Sequence, residues 1–352
     1  MKPADLCKTS SAWFGQGRGL FSDVVISSRI RLARNAAGFT FLPCLSSEQQ
    51  QAVLEMFKAA LLGLDVDGET FFMDVDQASP VERELLTERH LISRRLAQGS
   101  GPRGVVIAGG EAFAAMINEE DHLRMQVLAA GLDLYSCWER INRIDDRIEQ
   151  QVEYAFDRRY GYLTACPTNL GTGIRVSVML HLPALKMTGQ IDKVLAAARD
   201  SDLAVRGLFG EGTEAVGDLF QLSNQVTLGV SEAQVVEDFV SRIVPKIAAY
   251  ELEARKTLLA KRPQSLDDKI QRALGVLQNA CLISSQEALF LLSNVRLGVN
   301  LGRIEKVDIA TVNDLFMLTQ PAHLQLRAGR MLDAEQRDSL RAQILRSRLC
   351  TN

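Results

Sequence analysis

The rhythm of apolar positions changes along the chain. Val24-Val25-Ile26 is a β-branched run. It reads as a strand leading into the polar, basic stretch Ser27-Ser28-Arg29-Ile30-Arg31. Residues 47–62 place Val53, Leu54, Phe57 and Leu61 at helical spacing, with Ser47 as the expected N-cap. Residues 104–108, 122–127, 161–164 and 175–182 read as strands. Residues 139–156 and 231–259 read as helices, the second with Val235, Val236, Phe239, Ile243, Ile247 and Leu252 as its apolar stripe. Charge and proline interrupt that rhythm at Ala260-Lys261-Arg262-Pro263-Gln264, where a domain boundary is expected. Beyond it the pattern is helical throughout. Ser284 and Glu287 have capping-box spacing, and Asp333 to Gln336 opens a last helix that ends near Arg348. Strands and helices first, then helices alone, point to an α+β domain over 1–260 and an all-α domain over 261–352.

Composition excludes several classes. With 47% hydrophobic and 24% charged residues the chain is ordinary for a globular protein, and it is long enough for a sizeable core. A net charge of -3 offers no general affinity for nucleic acid or anionic membrane. No apolar run is long enough to cross a bilayer. None follows Met1-Lys2-Pro3-Ala4-Asp5, so no signal peptide is expected. The six cysteines form no C-x-x-C pair, and the four histidines complete no zinc pattern. A reducing cytoplasm is the expected compartment, with no nucleic-acid or membrane partner and no protein-held metal.

There is no Walker A motif and no kinase-type glycine loop; Gly15, Gly17 and Gly19 do not match G-x-G-x-x-G. Four polar clusters stand out instead. They are Ser27 to Arg31, Asn118-Glu119-Glu120-Asp121-His122-Leu123-Arg124, Cys166-Pro167-Thr168-Asn169-Leu170-Gly171-Thr172-Gly173-Ile174-Arg175, and Arg206-Gly207-Leu208-Phe209-Gly210-Glu211-Gly212-Thr213-Glu214. Each puts arginine beside turn-forming or acidic residues. Alone, an acidic run such as Glu119 to Asp121 reads as a solvated loop. Gly171 and Gly173 are expected to let the backbone approach a ligand, with N–H groups aimed at phosphate.

Together, in this order, the clusters resemble the phosphagen kinases, the ATP:guanido phosphotransferases. The third is close to that family's signature; the second resembles its N-E-E-D-H-x-R segment and the fourth its R-G-x-x-G-E loop. The resemblance implies an antiparallel sheet flanked by helices and transfer of the γ-phosphate of ATP, with Mg²⁺, to a guanidinium group. It assigns Glu120 and Glu211 to orienting the guanidinium and taking its proton, and Cys166 to orienting substrate. Arg29, Arg31, Arg124, Arg175 and Arg206 are assigned to the phosphates. Ser27, Ser28, Ile30, His90, Val176, Ser177, Val178, Met179, Gly207, Leu208, Phe209, Gly210 and Glu211 join the nucleotide site. Gln221 departs from the acidic residue that the family's creatine kinases carry.

Within the superfamily the chain is most similar to the bacterial protein-arginine kinases. The S-S-R-x-R segment begins at Ser27, whereas kinases of free guanidino compounds place a helical domain before it. A helical region follows the catalytic part. Arg337-Asp338-Ser339-Leu340-Arg341-Ala342 resembles the R-D-x-x-R-A motif of that branch, a regulatory phosphoarginine pocket. The resemblance implies protein substrates with exposed arginines, a homodimer, and an activator protein and Clp-type protease as partners. The alternatives are a kinase of free arginine or a similar compound, and a non-catalytic phosphoarginine reader.

Overall fold

The computed structural model describes residues 19–64, 68–207 and 216–350, together with Leu6, Cys7, Ser11, Trp13, Phe14, Gly17 and Val66. Ten strands are found among them: β1 Val25–Arg34, β2 Phe71–Asp74, β3 Gly104–Ala108, β4 Phe113–Ile117, β5 Leu123–Ala130, β6 Phe156–Asp157, β7 Gly161–Tyr162, β8 Ile174–His181, β9 Leu203–Gly207 and β10 Leu219–Asn224. Eight form one sheet in the order β2-β3-β4-β5-β1-β8-β10-β9. Every pairing in it is antiparallel. β6 and β7 make a separate hairpin.

Period-two alternation gives the sheet two different faces. Ile30, Leu32, Val176, Val178 and Leu222 point to one side and belong to the main core. The helix Leu134–Glu149 covers β1 and β5 there, burying Leu134, Cys137, Ile141, Ile144 and Ile148 along one stripe. Truncating such a residue, as in Ile141→Ala, costs about 2–5 kcal/mol. The opposite face is covered only in part. Over β3 and β4 a smaller cluster joins Val105, Ile107, Ala114 and Met116 to Leu85 and Leu86 of the helix Pro80–Glu88 and to Ala322. Beyond that cover, from β5 to β9, this face lines a cleft.

Several expected boundaries move. Ser46, not Ser47, caps the helix Ser47–Leu62, through a reciprocal box with Gln49. The expected helix over 139–156 runs from Leu134 to Glu149, and Phe156 lies in β6. The long 231–259 helix is interrupted by a π-helical turn, Phe239–Ile243, before resuming as Val244–Lys261. Pro245 explains the turn: it has no N–H to donate, and its ring clashes with the carbonyl four residues back. At Arg262 the backbone leaves helical geometry, and Pro263–Asn279 begins. Then come Ser285–Asn300, Ile309–Leu318, Pro321–Ala328 and Ala334–Leu349. Their buried residues, Leu297 and Leu345 among them, continue the main core of the sheet.

Candidate active site

Strand register brings five arginines from four strands onto one face. Arg31 on β1 pairs with Arg175 on β8 and with Gln126 on β5. Arg29, two residues away, pairs with Ser177, and its Nε lies 3.4 Å from the Ser177 hydroxyl. Arg124 is two residues from Gln126 on the same side. Across β8 and β10, Met179 pairs with Gln221 and Gln221 with Arg206. These residues share one face because each lies an even number of positions from a paired neighbour.

Electrostatics shows what the face lacks. Burial pushes Arg29 down to about 9, helped by Arg124, Arg175 and Arg206. Burial, Arg29 and the same neighbours push Arg31 well below its ordinary value. Among the described residues, Arg31 Nε and Nη2 are buried without a hydrogen-bond partner. Gathered guanidinium charge with unused donors is a site for a polyanion. The residues present therefore fit a nucleotide triphosphate.

The acidic cluster closes one end of the cleft and is not a solvated loop. It forms the turn between β4 and β5, with Asn118 at φ 59 and its side chain donating to the carbonyls of Gln50 and Pro102. Glu119 is buried and accepts from Ser93 Oγ at 2.5 Å and Arg124 Nη1 at 2.9 Å. Burial alone raises its pKa, but Arg124 and Ser93 outweigh it and hold the group ionised. Glu120 reaches the cleft, where it accepts from Arg95 Nη1 at 3.0 Å. Asp121 turns inward. Its Oδ1 accepts from Asn35 Nδ2 and from the Ala165 N–H, both at 2.7 Å, which pins the chain next to Cys166.

The signature loop is held at its other end by Arg34. Its Nη1 donates to the Thr172 carbonyl at 2.9 Å, its guanidinium lies 3.6 Å from the Tyr162 ring centre, and Asp145 accepts from Nε and Nη2. Between these anchors Cys166 lines the cleft, its Sγ 3.0 Å from Thr168 Oγ1. The glycines serve a different purpose from the expected one. A Cβ on Gly171 would meet the Thr227 carbonyl at 2.4 Å, and one on Gly173 the Ala33 carbonyl at 2.6 Å. Both permit close packing of the loop on its own scaffold. The Thr172 N–H is also spent internally, on Thr227.

His90 enters the cleft from the end of the helix Pro80–Glu88, at φ 57. Its ring meets Trp13 edge-on, 5.3 Å between centres. Burial, Arg29 and Arg31 push it down to about 3, so the imidazole is neutral. Ser27 and Met179 lie beside it. Ser28, Ile30, Val176 and Val178 carry their side chains on the opposite face, where alternation requires them. Ser28 Oγ is committed to the Gly131 carbonyl and the Asp133 N–H. Gly207 ends β9; Leu208, Phe209, Gly210 and Glu211 lie outside the described residues.

The cleft measures about 390 Å³. Ser93, Arg95 and Gln126 line it and were missed in the sequence. The signal for Gln126 was its place two residues after Arg124 in a strand.

The C-terminal motif lies on the helix Ala334–Leu349, far along the chain from the cleft. Arg341 is buried and donates to the Thr319 and Ile283 carbonyls, both at 2.8 Å, and to Asp338 at 2.5 Å. Arg337 is half-buried and donates to the Leu332 carbonyl. Ser339 is exposed, Leu340 half-buried and Ala342 buried.

Comparison with known proteins agrees with this geometry. Residues 52–254 match the ATP:guanido phosphotransferase C-terminal catalytic domain, and residues 263–352 the protein-arginine kinase McsB C-terminal domain. The protein-arginine kinase of Moorella thermoacetica is 45% identical over 97% of each chain. That of Geobacillus stearothermophilus is 45% identical over 96% of this chain and 93% of its own. Among solved structures, a lombricine kinase aligns with a TM-score of 0.58 at 28% identity, covering 71% of each chain. The duplicated taurocyamine kinase of Schistosoma mansoni shares the fold, with a TM-score of 0.59 at 24% identity over 79% of this chain and 44% of that one. The chain is thus an enzyme of the ATP:guanido phosphotransferase family, and belongs to its protein-arginine kinase branch.

Proposed function

We propose that this chain transfers the γ-phosphate of ATP to the guanidinium of arginine side chains in proteins. The observation that carries the reading is the arginine-lined face facing Glu120 across one cleft. Phosphoryl transfer is mostly positioning and charge stabilisation. Arg29, Arg31, Arg124, Arg175 and Arg206 bind and orient the phosphates. Mg²⁺, when bound with the nucleotide, would supply further charge neutralisation. Glu119 fixes Arg124 and stays ionised. Glu120, near the cleft mouth, orients the acceptor guanidinium and takes the proton released as its nitrogen attacks. Glu211 is its proposed partner, and Cys166 a further contact to the acceptor.

The same reading divides the chain into a catalytic part over 1–260 and a helical part over 261–352 that binds phosphoarginine and dimerises. Arg337 is half-buried and Ser339 exposed, and of the motif's two arginines Arg337 is the one less committed to buried carbonyls, so a phosphate is met there. A cytoplasmic role in stress response and protein quality control follows, with an activator and a Clp-type protease as partners. The test is incubation with ATP and Mg²⁺ plus either a denatured protein or free arginine. Acid-labile phosphate on the protein, lost in Glu120→Gln, is the expected result. Label on free arginine alone would overturn the acceptor assignment.

A further inference from the structure

Glu88 and His323 join two distant parts of the chain. Glu88 ends the helix Pro80–Glu88, and its Oε1 accepts from the Ala322 N–H at 2.8 Å. Its Oε2 accepts from the His323 N–H at 3.2 Å and from the imidazole Nδ1 at 2.7 Å. With the proton on Nδ1, the lone pair of Nε2 faces Arg89 Nη1 at 3.2 Å. Arg89 Nε and Nη2 then donate to Glu111 at 2.7 and 2.8 Å. All four side chains are buried.

The next residue in the chain is His90, in left-handed backbone geometry. Its N–H donates to the Thr87 carbonyl at 3.0 Å, and the Leu91 N–H to Leu86 at 2.9 Å. That pair of bonds is a Schellman motif, whose left-handed position glycine usually fills. A histidine there is disfavoured by its Cβ and persists only where its surroundings over-determine it. Arg89 and Glu88 are held by three ionic or polar partners immediately before it. Gln126 Nε2 grips the His90 carbonyl at 2.6 Å immediately after.

We propose that Glu88, Arg89 and His323 are positioning residues, by which the helix Pro321–Ala328 holds His90 in the nucleotide cleft. The inference rests on the reading of His90 as a nucleotide contact. His323→Leu removes both ring nitrogens, so Arg89 Nη1 loses its acceptor there while Glu111 still holds Nε and Nη2. His323→Gln keeps an acceptor for Arg89.

The experiment is steady-state kinetics of the full chain with ATP varied, for His90→Ala, His323→Leu, His323→Gln and the double variant His90→Ala/His323→Leu. His323→Leu is expected to raise KM for ATP by about fivefold to tenfold with kcat within about twofold. His323→Gln should recover most of that. In the His90→Ala background, His323→Leu should add less than about twofold, because interaction through a shared residue is not additive. A full additional effect in that background, or an unchanged KM in His323→Leu, overturns the relay. An unchanged KM in His90→Ala overturns the nucleotide role of His90, and the relay with it. If His323→Leu does not fold, Glu111→Gln is measured in the same cycle, with the same outcomes.

Discussion

Arg31 and Arg175 are direct cross-strand partners on β1 and β8, two like charges side by side on the floor of the cleft. Such a pair destabilises a sheet. Among the described residues Arg31 has no partner for Nε or Nη2, and a bound anion would meet both donors. Arg31→Met is therefore expected to leave the ligand-free Tm unchanged or higher, since removing a buried uncompensated charge is often stabilising. It should abolish the stabilisation by ATP, which for the parent is about 2.7 kcal/mol at a hundredfold excess over Kd. Thermal unfolding with and without ATP decides. A variant that melts earlier alone but still responds to ATP would contradict the site.

Glu119 and Glu120 are adjacent in sequence and separate in role. Glu119 is buried between Arg124 and Ser93, whereas Glu120 makes one pair with Arg95, itself largely exposed. A surface pair of that kind contributes about 0–1 kcal/mol. Glu120→Gln should thus keep the parent stability and KM for ATP while lowering kcat by about 10²- to 10⁴-fold. Glu119→Gln should instead lower stability by about 3–5 kcal/mol, because it leaves Arg124 uncompensated. Paired urea unfolding and kinetics separate the two; parental turnover in Glu120→Gln removes it from the mechanism.

How far the sequence reveals this site depends on which force fixes each residue. The alternation Arg29-Ile30-Arg31-Leu32 is local, so the polar stretch after Ile26 was itself strand, continuing to Arg34. β4 escaped notice because Phe113-Ala-Ala-Met-Ile117 is apolar throughout, a pattern shared by buried helix and buried strand. The signature loop was recognisable by composition, but its glycines were read as facing a ligand when they face Thr227 and Ala33. Burial of Glu119 and Asp121 depends on Ser93, Asn35 and Ala165, far along the chain. No periodicity encodes those contacts. The bond from Glu88 to His323 spans still more sequence, and nothing near either residue announces it.

The C-terminal motif gives a sharper test than its two arginines suggest as equals. Arg341 satisfies the buried carbonyls of Thr319 and Ile283. Arg341→Ala leaves both without a partner and should cost about 2–5 kcal/mol, whatever its part in regulation. Arg337→Ala removes one bond to Leu332 from a half-buried side chain and should cost under about 1 kcal/mol. Urea unfolding checks both. A regulatory effect of added phosphoarginine that survives Arg337→Ala would show that the motif does not bind it.

His90 makes stability depend on pH in a direction set by its burial. Its folded pKa lies at about 3, below the ordinary 6.5 of an unfolded chain. Between those values the unfolded chain holds the extra proton, so stability is present above pH 6.5 and is lost as pH falls toward 3. His122, His181 and His323 are lowered by burial too and act in the same direction. Glu111, Glu232 and Glu251 are raised by burial and oppose them. His90→Asn isolates one contribution, because asparagine tolerates the left-handed backbone. Between about pH 6 and pH 4.5, unfolding free energy should fall more steeply in the parent than in His90→Asn, by about 1.4 kcal/mol per pH unit. Urea titrations across that range measure both slopes. Parallel slopes would mean that His90 takes its proton in the folded protein, against its burial beside Arg29 and Arg31.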